Sequence, residues 1–432
     1  MVSASDEHLE LQTSLRWSCI VHSTRLLRPS VLLHSGVRPG SRRARPKAHP
    51  DMKQSVPKLL AVGAFPPPST EVRGGQVTTG RAVMGAEFSA RFAVRFIDST
   101  QKTNPPPPLL VRGGYAALRL IKFAWEVLVH RPSGVLLFAT VGPSYVEKGC
   151  MSVLARLLRI PSILFLRGGN LIHDFDRSRI QRWLMKALLT HADRFLCQGP
   201  SWQSFAVDKL GYSVESSPII PNWTATEALL RIGRKRVPQP HPRRARVLFV
   251  GRLERAKGVE DLVIAARLLK ESGLDFELSV VGDGHSRGWL EAFVREHSLE
   301  DCVRFLGWKS PEEVRSHLAC NDIFVLPSWG EGMPNALIEA MASRLACVCS
   351  RVGMVPDFLL NGTHALLTAA RDPQELGEAL KLLIEDAALR QSLADRAFEL
   401  AEEVFSERLG VKRFADAVEV VIRQPRDGAT VR

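Results

Sequence analysis

The sequence predicts an α/β protein built from two doubly wound, Rossmann-like parallel-sheet domains that face each other across a cleft. Three observations carry this. Short apolar runs alternate with segments of helical period along most of the 432 residues. The rhythm runs twice, and a basic, proline-rich stretch at 231–246 separates the passes. Such alternation is the pattern of parallel sheets with crossover helices, whose ligands bind outside the carboxyl ends of the strands.

In the first pass, strands are expected at 58–63, 92–98, 135–140, 162–166, 194–197 and 214–220, with helices at 115–129, 145–158 and 174–192. In the second, strands at 247–250, 276–281, 303–305 and 323–326 alternate with helices at 259–271, 289–297 and 311–319. A last helix is expected at 407–423. The domains are therefore placed at 52–238 and 239–404, with the terminal helix, 405–424, returning to the first. Residues 1–51 have little periodicity and a basic run, Arg42-Arg43-Ala44-Arg45-Pro46-Lys47; a disordered extension is expected, with Met52 as the natural start.

Charge is unevenly spread. Residues 1–51 carry net +4, residues 52–238 net +14 and residues 239–432 net −5, which sum to the formal +13. The first domain should thus meet an anionic partner. Few aromatics accompany its basic residues, and no reader motif is visible, so nucleic acid is not expected. The helix at 174–192 carries Arg177, Arg179, Arg182 and Lys186 beside Ile180, Trp183, Leu184 and Leu188, a pattern that suits either a helix packed on the sheet with a solvated basic face or peripheral contact with an anionic membrane, and the +14 of this half favours the membrane. No apolar run approaches the length of a membrane span. The seven scattered cysteines lack CxxC spacing and favour buried thiols in a reducing, cytoplasmic setting over disulfides or zinc. No metal and no cofactor are expected.

The candidate site residues lie mostly in the second domain. Glu331 and Glu339 flank Gly332-Met333-Pro334 after the apolar strand at 323–326. Pro334 suits a first helical turn, so the unpaired N–H groups of the new helix lie between two carboxylates. A phosphate at that end, with a carboxylate for a sugar hydroxyl on each side, describes a nucleotide-sugar site. Arg252 and Lys257 lie five apart across a turn after Gly251 and can clamp a diphosphate. Gly282 and Gly284 follow a strand, where glycine lets backbone approach a ligand closely, and Trp308 can pack on a nucleobase.

Together, Gly251-Arg252-Leu253 with Lys257-Gly258, Val281-Gly282-Asp283-Gly284, Phe305-Leu306-Gly307, Pro327-Ser328 and the stretch Glu331 to Glu339 resemble the retaining glycosyltransferases of family 4, the glycosyl transferases group 1 class with the GT-B fold. The resemblance covers roughly 245–385 and implies roles. Arg252 and Lys257 would hold the leaving diphosphate, Glu331 the transferred sugar and Glu339 the ribose. Met333, Pro334, Asn335, Ala336 and Leu337 would add donor contacts. Gly74-Gly75 is similar to the family's glycine-rich loop toward donor phosphate and acceptor. Where many relatives have a histidine near the acceptor, this chain has Arg167-Gly168-Gly169-Asn170, with His173 displaced; Arg167 and His173 are the acceptor-side candidates. The family's Gly-Gly-x-Pro-Glu loop reads Val352-Gly353-Met354-Val355-Pro356-Asp357, one glycine fewer and with a shorter acid.

The expected activity is hexosyl transfer from a nucleotide-diphosphate sugar to a glycan or polyprenyl-diphosphate-linked acceptor, with retention, in bacterial surface polysaccharide synthesis such as lipopolysaccharide. The expected location is cytoplasmic, at the inner face of the plasma membrane. The alternatives are a non-catalytic nucleotide-sugar-binding scaffold and a GT-B nucleotide-sugar epimerase; the latter needs acid/base residues that the sequence does not offer.

Overall fold

A computed structural model describes residues 56–65, 80, 83, 85–100, 107–140, 142–168, 171–237 and 244–423. Residues 1–51, expected to be disordered, lie outside the described residues, as do Gly74 and Gly75. The described chain builds two parallel sheets.

The first runs through β1 (Lys58–Gly63), α1 (Ala86–Arg91), β2 (Ala93–Asp98), α2 (Leu109–His130), β3 (Gly134–Ala139) and α3 (Pro143–Leu157). It continues with β4 (Ser162–Leu166), α4 (Leu171–Arg177), α5 (Arg179–Leu189), β5 (Arg194–Leu196) and α6 (Pro200–Leu210). Its strand order is β2-β1-β3-β4-β5, and every pairing is parallel. β3 and β4 are buried along their whole length, as strands covered on both faces must be.

The second part comprises α7 (Glu227–Lys235), β6 (Ala245–Val250), α8 (Val259–Glu271), β7 (Phe276–Val281), α9 (Arg287–Glu296), β8 (Val303–Gly307), α10 (Pro311–Cys320) and β9 (Ile323–Leu326). Then follow α11 (Asn335–Ala342), β10 (Ala346–Ser350), α12 (Val355–Phe358), β11 (Leu366–Thr368), α13 (Pro373–Glu385), α14 (Ala387–Val404) and α15 (Glu407–Arg423). The strand order is β11-β10-β9-β6-β7-β8, all parallel. The order reverses at β6, which has β7 on one side and β9 on the other. α15 lays Val411, Phe414, Val418 and Val421 into the core of the first sheet, beside Phe88, Phe138, Phe165 and Trp223.

Three expectations fail locally. The helix read at 174–192 is two helices, because the Ser178 hydroxyl accepts from the Gln181 N–H and starts a new one. No strand forms at 214–220; Ser213, Ser216 and Ser217 bond one another and nearby backbone in a turn, and Ile219 makes a single bridge to Cys197. The stretch read as a linker begins as α7, which packs on α10, α11 and α14 of the second part. Beyond α7, the Arg236 guanidinium donates to the carbonyls of Leu318, Asn321 and Ser343. Cys347 and Cys349 are buried in β10.

Candidate active site

The carboxyl ends of β6 and β9 are adjacent, so the loops that follow them meet. Lys257 closes the first loop and Glu331 lies in the second. The Lys257 Nζ is 2.5 Å from Glu331 Oε1, and the Ser328 hydroxyl donates to the same oxygen at 2.7 Å. The other oxygen, Oε2, is not used by either bond. The loops also fit together through glycines. Gly258 has φ of +66°, and a Cβ there would collide with the Pro327 carbonyl oxygen. Gly282 has φ of +139°, and a Cβ would strike the Gly251 carbonyl oxygen. Glycine at both positions therefore serves loop-to-loop contact first.

Helix α11 starts at Asn335 with Pro334 as its N-cap, and among the described residues no side chain caps it. Its first bond within the turn is Ile338 N–H to the Pro334 carbonyl, so the preceding amides are available to an anion. Glu339 lies one turn along α11. Burial pushes its carboxyl up to about 7, and among the described residues no cation offsets the shift.

A cavity of about 730 Å³ joins these groups. From the second part it is lined by Gly251, Arg252, Lys257, Gly282, Trp308, Glu331, Met333, Pro334, Asn335, Ala336 and Glu339. From the first part come Arg167, Gly168, Gln198 and Asn222, which follow β4 and β5. The sequence candidates thus converge, with some differences. Arg252 lines the cavity, but its guanidinium pairs with Glu254 and is more than half exposed. Gly284 lies against the Leu253 carbonyl, outside the lining, and the Leu337 side chain is buried in the core. His173 falls in α4, but its side chain is outside the described residues.

Sequence reasoning gave Asn222 no role in the site. Its side chain accepts from Arg167 at 2.5 Å and from Gln198 at 2.7 Å. It donates to the Met333 carbonyl at 2.7 Å and to Asn335 Oδ1 at 2.9 Å. One buried amide therefore ties the acceptor-side candidate Arg167 to the start of α11. Burial lowers the Arg167 guanidinium to about 10. Asn222 lies just beyond the run expected as a strand at 214–220, which marks no such role. Asp357, the shortened acid, is turned toward the first part: it accepts from the Ser201 N–H at 3.0 Å and pairs with the Ser201 hydroxyl at the start of α6. Among the described residues, no group of three or more His, Cys, Asp or Glu could hold a metal ion.

Residues 234–400 match the family described as glycosyl transferases group 1. The chain is 32% identical over 180 residues to the amylovoran biosynthesis glycosyltransferase AmsK of Erwinia amylovora, an alignment that covers 40% of this chain and 44% of AmsK. The chain thus spans less than half the length of that relative. The sucrose-phosphate synthase of Thermosynechococcus elongatus superposes with a TM-score of 0.67 at 18% identity, covering 84% of this chain and 99% of that one. HepE of Anabaena, solved in complex with UDP, superposes with a TM-score of 0.63 at 17% identity, covering 84% of this chain and 100% of that one. The matched segment, less than half of the chain, is similar to the glycosyl transferases of group 1, and the two parallel-sheet lobes have the GT-B fold of these solved neighbours.

Proposed function

We propose that the cavity binds a nucleotide-diphosphate sugar and transfers its hexosyl group, with retention, to a glycan or polyprenyl-diphosphate-linked acceptor. The observation that carries the reading is the Lys257–Glu331 pair beside the start of α11, with Glu339 one turn beyond. In this reading the diphosphate lies between Lys257 and the amides of Asn335 and Ala336. Lys257 then shares its charge between Glu331 and the leaving phosphate, which stabilises the charge that grows as the glycosidic bond breaks. Ser328 and Lys257 hold Glu331 at one oxygen, which leaves the other for a sugar hydroxyl. Glu339 accepts from the ribose, Trp308 stacks on the base, and Arg252 turns from Glu254 to the phosphate. No protein nucleophile and no metal enter this scheme. The chain's contribution is position and charge.

Support for the donor comes from HepE, whose structure holds UDP, and for a surface polysaccharide product from AmsK, named for amylovoran biosynthesis. The test is transfer and donor hydrolysis with UDP-, GDP- and ADP-sugars, using wild type, Lys257→Ala and Glu331→Ala. Turnover with one donor, lost in both variants while the nucleotide still binds Glu331→Ala, is the expected result. Tight nucleotide binding without turnover on any acceptor extract overturns the enzymatic reading and leaves a binding scaffold.

A further inference from the structure

Helix α2 is apolar on two sides. Phe123 and Val127 are buried, on the side packed toward β2 and α3. On the other side Val111, Tyr115, Leu118, Ile121, Trp125 and Leu128 follow one another at three or four residues, share one face and are all exposed. Leu118 and Trp125 each keep 64% of their surface. Soluble proteins seldom leave so continuous an apolar face open to water.

A second helix extends it. On α5, Ile180 and Trp183 remain 77% and 69% exposed. α2 and α5 both pack on α3, and they line one largely apolar cavity of about 530 Å³ through Ala116 and Leu120 on one side and Leu184 on the other. Gly142 and Pro143, just beyond the carboxyl end of β3, line the same cavity, so this face reaches the edge of the sheet that opens to the cleft.

The charge around the face is mostly positive, although Glu147, paired with Arg119, and Asp174 line the cavity between the helices. α5 carries Arg179, Arg182 and Lys186 with no acid, and α2 carries Arg112, Arg119 and Lys122 against Glu126. Among the described residues, Arg112, Lys122, Arg179 and Lys186 make no ion pair. Among them, too, no helix is long and apolar enough to cross a membrane.

We propose that the α2–α5 face docks on an anionic lipid bilayer. Leu118, Ile121, Trp125, Ile180 and Trp183 enter the interface, and the flanking cations meet the phospholipid headgroups. A second copy of the chain fits less well. A two-fold pairing sets the same patch against itself and brings the unpaired cations of α5 together. The docking does not depend on the identity of the donor. If the acceptor is lipid-borne, as the function above has it, the same contact sets the cleft beside it.

The test is flotation of the full chain with vesicles of phosphatidylcholine alone and of phosphatidylcholine with phosphatidylglycerol. Alongside, tryptophan emission, nucleotide titration and size by light scattering are measured. Wild type is expected on the anionic vesicles only, with blue-shifted emission and with binding that weakens as salt rises. Leu118→Glu/Trp125→Glu is expected to abolish flotation while nucleotide affinity and melting temperature are kept. Arg179→Glu/Lys186→Glu is expected to weaken it roughly 25-fold or more, about fivefold for each lost cation. Three results overturn the proposal: wild type that does not float, variants that float like wild type, or a dimer that Leu118→Glu/Trp125→Glu dissociates without any vesicle binding. Nucleotide titration separates all of these from failure of the donor site.

Discussion

Replacing Glu339 by glutamine should make the empty protein more stable and the donor complex weaker. Burial raises the carboxyl from an ordinary 4.5 to about 7. The folded state therefore binds more protons than the unfolded chain between those values. Stability falls as pH rises through that window and is level above it. The interval corresponds to about 3 kcal/mol of stability, present in full below pH 4.5 and lost by pH 8. Glutamine has the same shape and no charge, so it should recover up to that amount. For a lobe of this size, a kcal/mol is worth roughly 2–4 °C, so the gain is about 6–12 °C at its upper limit. Thermal unfolding of the nucleotide-free protein at pH 5 and pH 8 tests this. The difference between variant and wild type should be small at pH 5 and several degrees at pH 8. Nucleotide affinity should move the other way. A carboxylate accepting from ribose hydroxyls contributes about 1.5–3 kcal/mol more than a group that cannot, which is a loss of roughly 10- to 150-fold. A gain of the same size at both pH values would refute the buried-charge argument. Unchanged affinity would refute the ribose role and leave the stability argument standing.

Three further outcomes rest on other contacts. Gly282→Ala places a Cβ on the Gly251 carbonyl at a positive φ and should cost at least about 2 kcal/mol, read in urea unfolding. Asn222→Ala removes the partner of Arg167, Gln198, Met333 and Asn335 at once, and should cost about 2–4 kcal/mol in the same measurement; a change below about 0.5 kcal/mol would mean that the network is replaced by water. Asp357→Ala uncaps α6 from across the chain and should cost about 1 kcal/mol, with Asp357→Asn recovering part of it; hydrogen exchange at the Ser201 amide should rise in the alanine variant alone.

Much of the second part was legible because each of its motifs sits directly after an apolar strand. Gly251, Gly282, Trp308 and Glu331 all follow a run that reads as buried, and all of them line the cavity. What the sequence hid was relation rather than identity. Asn222 bonds Met333 and Asn335 across 111 and 113 positions, and no local pattern marks such a pairing. Gly282 was legible as a place without a side chain, but its reason is a neighbouring loop that only the fold brings near. The break inside 174–192 did leave a trace: a serine three residues before a glutamine is an N-cap signature, but the basic and apolar periodicity runs through it.

The arrangement of strands is what turns two ordinary motifs into one site. Lys257 and Glu331 lie 74 positions apart, and neither loop is distinctive alone. β6 is where the strand order reverses: the chain goes from β6 to β7 and β8 on one side, then crosses back to place β9 on the other. Their crossover helices pack on opposite faces of the sheet, because such connections are right-handed. The loops after β6 and β9 are therefore left open between them, at the place where such sheets bind their ligands. An order of β6-β7-β8-β9 would carry the same residues and the same local elements, but would hold Lys257 and Glu331 three strand spacings, about 14 Å, apart. The 2.5 Å ion pair is thus a consequence of topology, and loss of turnover in either single variant, with the fold intact, would tie activity to that topology rather than to either motif alone.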